Sequence, residues 1–153
     1  MSMAGAETQH ATLVSNVGAG VLLRGPSGSG KSDLALRLLN LGPDWRLVSD
    51  DQVALSRNGS VIMGRAPAAI SGKLEVRGIG IVDVAVAPET EIRLIVDLVE
   101  RADVPRMAEL DQTSNLLGAA IPSARLHAFD ASAPLKVVML LRLAEVRAAL
   151  RKN

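Results

Sequence analysis

The chain has 153 residues, is 48% hydrophobic and carries a formal charge of +1, with no cysteine, no tyrosine, one tryptophan and one phenylalanine. That length gives one domain with a genuine core. Missing thiols exclude disulfides and thiolate metal sites, while near-neutral charge and few aromatic rings exclude a phosphate-backbone or base-stacking binder of nucleic acid.

The start, Met1-Ser2-Met3-Ala4-Gly5-Ala6-Glu7, has no basic region followed by an apolar run. No stretch reaches the length of a membrane span. The expectation is therefore a cytoplasmic enzyme with no membrane or nucleic-acid partner.

After this polar start, Ala11–Val14 and Gly20–Leu23 read as strands around a turn at Asn16-Val17-Gly18. The second strand runs into Gly25-Pro26-Ser27-Gly28-Ser29-Gly30-Lys31-Ser32, a complete P-loop, and Asp33–Leu39 continues as an amphipathic helix. Strand, glycine-rich loop and helix in that order are the context this motif requires. The glycines let backbone N–H groups converge on phosphate oxygens, and the helix N-terminus adds partial positive charge. Lys31 supplies a full charge to the outer phosphates and Ser32 a hydroxyl for Mg²⁺. The chain is expected to bind a nucleoside triphosphate or pyrophosphate.

Gly42-Pro43 stops the helix, and Trp45–Ser49 forms a strand ending in Asp50-Asp51. Gln52–Ser56 and Val61–Met63 flank a hairpin turn at Arg57-Asn58-Gly59-Ser60. The run Pro67–Val84 is strand-like but broken by Gly72, Gly78 and Gly80, which suggests a turn or bulge beside a ligand. Ile92–Val99 is a buried strand, residues 101–133 are loop-rich, and Leu135–Arg151 closes the chain as a helix. These elements give an α/β fold whose hairpin spacings make the sheet mixed.

Phosphoryl transfer also needs a metal, charge neutralisation and a group to orient the acceptor. Asp50 and Asp51 stand at a strand end twenty residues after Lys31, where such a fold presents a carboxylate. Adjacent strand residues point to opposite sides, so one would face the site and the other a loop. Glu75 and Arg77 share a face in an extended chain and suit a metal and a phosphate, or else a surface ion pair. On residue chemistry alone, His10 and His127 are unremarkable, Trp45 is a packing residue, and Arg142, Arg147 and Arg151 form a solvated or interface-building helix face.

Four blocks of this chain resemble the catalytic domain of the HPr kinase/phosphorylase family: His10-Ala11-Thr12, Gly25–Ser32, Leu47-Val48-Ser49-Asp50-Asp51, and Leu74-Glu75-Val76-Arg77-Gly78-Ile79-Gly80-Ile81. The last is the most specific. The resemblance implies a P-loop-containing mixed sheet with flanking helices, similar to the HPr kinase and PEP carboxykinase-like core. It implies an Mg-ATP-dependent serine kinase acting on HPr or an HPr-like phosphocarrier. By resemblance, Asp51 is the base, with His10 close to the reacting groups; Asp50 and Arg77 complete the expected catalytic set. Lys31 holds the transferring phosphate, Ser32 and Glu75 bind Mg²⁺, and the assembly is a homo-oligomer, by family habit a hexamer.

Residues 1–153 would form a single catalytic domain without the family's separate N-terminal domain, similar to short alphaproteobacterial members. The family's C-terminal arginine motif has no counterpart here, where the chain reads Ile121–Asp130 with Arg125 as a possible substitute cation. Phosphorolysis is therefore an open question. Two other readings stand beside the kinase: a non-catalytic nucleotide-sensing module, and a small-molecule kinase using Arg101, Arg106 and Arg125.

Overall fold

The computed structural model describes residues 7–109 and 111–151. In chain order the elements are β1 (Glu7–His10), β2 (Thr12–Asn16), β3 (Ala19–Arg24), α1 (Lys31–Leu39), β4 (Trp45–Ser49), β5 (Gln52–Asn58) and β6 (Val61–Arg65). They continue with β7 (Lys73–Val76), β8 (Gly80–Asp83), β9 (Thr90–Leu98), β10 (Thr113–Leu116), β11 (Ala119–Leu126) and α2 (Ala133–Arg151). Among the described residues nine strands form one sheet, and β7 with β8 makes a separate hairpin.

The mixed sheet is organised around β3. On one side β3 pairs antiparallel with β2, which pairs antiparallel with β4. On the other it pairs parallel with β9 along its whole length. The far edge of β9 is shared: β6 takes Thr90 and Glu91, and β11 takes Ile95–Leu98 in parallel. Thus β3, β9 and β11 all end on one side of the sheet, and the P-loop follows the first of them.

Both faces are covered, so the central strands are continuously apolar rather than alternating. Val21, Leu23, Leu94 and Val96 face α1 and α2, meeting Leu34, Leu38, Val137 and Leu141. Leu22 and Ile95 face the opposite way, into a cluster with Leu13, Val53, Leu55, Ile62 and Ile121. Each such buried side chain contributes roughly 1.5–3 kcal/mol through removal from water. Strands β3 and β9 approach so closely at Gly20 that a Cβ there would stand 2.6 Å from the Glu91 carbonyl oxygen.

The loop-rich reading of residues 101–133 is corrected by the β10–β11 hairpin, with Leu116 paired to Ala119. Ala119, Ala120, Pro122 and Ala124 disguise the strand, because alanine and proline have low strand preference. Pro122 is tolerated because pairing with β9 begins one residue later, at Ser123. Strand β1 is a second addition, pairing His10 with Gln52 in what reads as a polar lead-in. Trp45 is 7% exposed within the core, as a packing residue should be. Helix α2 exposes Leu135, Met139, Leu143, Val146 and Leu150 as well as Arg142 and Arg151.

Candidate functional site

Strand β3 is anchored beneath the loop by Arg24 at its end. The Arg24 guanidinium grips Asp97 of β9 with two bonds, Nε to Oδ1 at 2.8 Å and Nη2 to Oδ2 at 3.0 Å. This bidentate geometry fixes the strand end from which the P-loop departs. Gly25, Pro26, Ser27, Gly28, Ser29 and Gly30 then turn the chain into α1. Gly28 and Gly30 have φ of 84° and 97°, the left-handed region that a Cβ opposes. No side chain caps α1 at Gly30, so the amides of its first turn remain open to an anion.

Lys31, at the first helical position, folds back over the loop, donating from Nζ to the Gly25 carbonyl at 2.6 Å and the Pro26 carbonyl at 3.1 Å. Burial pushes its ammonium below the ordinary lysine range, while the charges of Asp51 and Asp50 pull the other way. Within the loop the Ser29 hydroxyl is buried without a hydrogen-bond partner.

Asp50 and Asp51 lie in the bend between β4 and β5, outside either strand, and it is the backbone kink at Asp51 rather than strand alternation that sends their side chains to different surroundings. Asp50 is 6% exposed. Its Oδ1 accepts from Ser32 Oγ at 2.7 Å and from Thr12 Oγ1 at 2.8 Å, and its Oδ2 accepts from the Glu75 N–H at 3.3 Å. Three donors stabilise a buried carboxylate that would otherwise be costly. Asp51 projects outward with φ of 67°, a left-handed conformation costing on the order of 1 kcal/mol in a non-glycine residue. The Ala11 N–H to Asp51 carbonyl bond at 3.1 Å holds this kink against the break between β1 and β2. His10 Nε2 lies 2.6 Å from Asp51 Oδ1, and both side chains are more than half exposed.

Ser32 thus joins Asp50 to the loop directly, and Thr12, to which sequence reasoning gave no role, links Asp50 to the backbone of Asp51. A fully buried threonine opening an apolar strand is the signal, but it acquires meaning only from the register that sets Leu13 opposite Ser49. Glu75 reaches the cluster through its backbone; its exposed side chain and that of Arg77 lie on the β7–β8 hairpin and the turn after β7. The carboxylate bonded to Ser32 is that of Asp50.

The opposite lip is the turn 127–130, which follows β11. A Cβ on Gly30 would meet Ala128 Cβ at 2.7 Å and Phe129 Cζ at 3.1 Å, so this turn lies directly on the P-loop. Arg37 of α1 donates to the Ala128 carbonyl and to the Asp130 carbonyl, the latter at 3.1 Å. Arg101 bonds Asp130 Oδ1 from Nε at 2.9 Å and Nη2 at 2.7 Å, holding that carboxyl below its usual range. Arg101 is thereby committed to structure rather than free to act as a lid arginine. His127 Nδ1 lies 2.9 Å from the Val99 carbonyl. A carbonyl only accepts, so Nδ1 carries the proton.

These groups fit a polyphosphate and a hard cation. Open helix amides, an ammonium and an orphaned serine hydroxyl in the loop are donors for phosphate oxygens. The Ser32 hydroxyl beside the Asp50 carboxylate offers oxygen donors of the kind Mg²⁺ prefers, with phosphate and water completing its shell. Among the described residues no three His, Asp or Glu side chains cluster as a self-sufficient metal cage.

The HPr Serine kinase C-terminal domain family matches residues 1–144. The HPr kinase/phosphorylase of Lactobacillus delbrueckii subsp. bulgaricus is 38% identical over 123 residues, 73% of this chain and 38% of that protein. That of Mycoplasmopsis pulmonis is 43% identical over 96 residues, 58% of this chain and 30% of that protein. The chain spans well under half the length of these curated relatives. A solved structure described as the Hpr(Ser) kinase/phosphatase from Coxiella burnetii superposes with a TM-score of 0.82 at 28% identity, covering 95% of this chain and 94% of that one.

Proposed function

The chain belongs to the HPr Serine kinase C-terminal domain family, and on that premise we propose that it transfers the γ-phosphoryl group of ATP to a serine of HPr or an HPr-like phosphocarrier. The observation that carries the reading is the 2.7 Å bond between Ser32 of the P-loop and Asp50, with Asp51 as the next residue. It supports reading Asp51 as a second, outward-facing carboxylate beside the phosphate cradle.

In this reading the loop amides and Lys31 hold the polyphosphate, and Ser32 and Asp50, with Glu75 from the hairpin, hold Mg²⁺. The ion, when bound, neutralises charge on the bridging oxygens. Asp51 takes the proton of the acceptor hydroxyl as the serine oxygen forms its bond to phosphorus. The bond from phosphorus to the bridging oxygen breaks, and ADP leaves with that electron pair. His10, 2.6 Å from Asp51, orients the carboxylate. Arg77 on the hairpin turn would meet a phosphate or the acceptor. Positioning and charge neutralisation supply most of the rate in such reactions.

The exposed apolar stripe on α2 supports assembly into a homo-oligomer, a hexamer by family resemblance. No helix among the described residues is long and apolar enough to cross a membrane. A cytoplasmic location is part of the same proposal.

The test is incubation with labelled ATP, Mg²⁺ and the HPr-like proteins of the source organism, followed by mapping of the label. Label on a serine is expected. ATP binding without any transfer to any of these proteins would instead favour a nucleotide-sensing module. Running the reaction backward with inorganic phosphate asks whether phosphorolysis also occurs.

A further inference from the structure

The one phenylalanine of this chain is not in its core. Phe129 is 56% exposed, in a protein whose interior is built from Leu, Val, Ile and Ala. Its ring edge lies against Gly30, where the P-loop becomes helix α1. The ring is also held. His127 meets it edge-on with centroids 5.7 Å apart, and His127 is itself bonded to the Val99 carbonyl.

The residues on either side of Phe129 are pinned independently. Arg37 binds the carbonyls of Ala128 and Asp130, and Arg101 binds the Asp130 carboxylate. A fixed, exposed aromatic face is costly to maintain without a use, since the same ring buried would contribute to stability.

Its location identifies the use. The P-loop stands between two lips, and the Asp50–Asp51 lip is where the outer phosphate must react. A nucleotide whose terminal phosphate faces Asp51 extends its other end away from that lip, toward β9 and β11. The turn that carries Phe129 follows β11 and touches the start of α1.

We propose that Phe129, held by His127 and Arg37, is the platform on which the purine base of the donor nucleotide stacks. The inference rests on the nucleotide reading above and deepens it. It makes the donor a nucleoside triphosphate rather than pyrophosphate, because only the former has a planar face to offer the ring. His127 is a positioning residue, acting through Phe129.

The test compares binding of ATP and of inorganic tripolyphosphate to the whole chain by calorimetry. Wild type should bind ATP more tightly than tripolyphosphate. Phe129→Ala should weaken ATP by about tenfold, the scale of one lost aromatic–base stack, and tripolyphosphate by less than about twofold. Phe129→Leu keeps apolar bulk over Gly30 without a π face and should lose ATP as alanine does, which covers the case in which the alanine variant fails to fold. Phe129→Trp should retain ATP binding and show fluorescence quenching by ATP but not by tripolyphosphate.

Equal losses for both ligands would make Phe129 a support for the loop and overturn the proposal. Unchanged ATP affinity with a raised KM for the acceptor protein alone would overturn it in favour of protein docking. Wild type that binds tripolyphosphate but gains nothing from the nucleoside overturns the base platform and leaves the phosphate site standing. Wild type that binds neither overturns both.

Discussion

The hydroxyl of Thr12 donates to Asp50 at 2.8 Å, while the N–H of Asp51 approaches the same hydroxyl at 3.5 Å. One fully buried side chain therefore touches both acidic residues at the strand end, directing the carboxylate of one and the backbone of the other. Asp50 in turn accepts from Ser32, so β2 is coupled to the P-loop helix through a carboxylate that neither element contains.

Replacing Thr12 by valine keeps the volume and removes the donor. Loss of a buried hydrogen bond to a charged group costs about 2 kcal/mol. For a domain of this size that lowers Tm by about 4–8 °C. Thr12→Ser should recover most of it. Differential scanning calorimetry of the two variants checks the expectation, and a valine variant as stable as wild type would contradict it.

The exposed carboxylate of Asp51 makes no contact with the loop's own donors, so its removal should spare nucleotide binding. Asp51→Asn is expected to bind ATP within about twofold of wild type yet transfer phosphate about a hundredfold to ten-thousandfold more slowly, the range for loss of a general base. Single-turnover transfer to HPr alongside equilibrium ATP binding separates the two quantities.

Burial holds the Lys31 ammonium below its ordinary value of 10.5, and a bound triphosphate brings negative charge that raises it again. Between the lowered value of the free protein and the raised value of the complex, binding must take up a proton. ATP affinity should therefore rise as pH falls through the window between those two values. Calorimetry in two buffers of different ionisation enthalpy reports the proton directly. Lys31→Arg, which stays charged throughout, should show no uptake.

Gly20 and Gly59 test two different reasons for a glycine. A Cβ at Gly20 would lie 2.6 Å from the Glu91 backbone, and neither central strand can withdraw. Gly20→Ala should destabilise by on the order of 2–3 kcal/mol. Gly59 has open space around it but a φ of 63°, so Gly59→Ala should cost only about 1 kcal/mol of backbone strain. Urea titration ranks the two, and reversal of the order would refute the packing argument.

The P-loop, the helix after it and the strand ending in two aspartates were legible because each carries its own local signal: glycine spacing, apolar period or a charged stop. The β10–β11 hairpin was not, because alanines and Pro122 give no period and the strand exists through its pairing with β9. The site divides in the same way. As candidates, Lys31, Ser32, Asp50 and Asp51 could be picked out from spacing, and His10 and Glu75 gained weight from the family resemblance. Thr12 and Phe129 depend on which residues a folded sheet sets opposite one another, 38 positions away for Thr12 and Asp50. A single sequence does not display that distance.

Strand β3 is also a boundary. To one side lie β2 and β4, local in sequence and antiparallel; to the other lie β9 and β11, recruited from the second half of the chain and parallel. Each margin of the cleft is therefore encoded by its own stretch of sequence. On the reading proposed above, substitutions around Phe129 would retune contact with the nucleoside without touching the His10–Asp51 pair, and substitutions at His10 or Asp51 would retune proton transfer without touching Phe129. Such a layout lets a lineage change its fuel and its reactivity in separate steps.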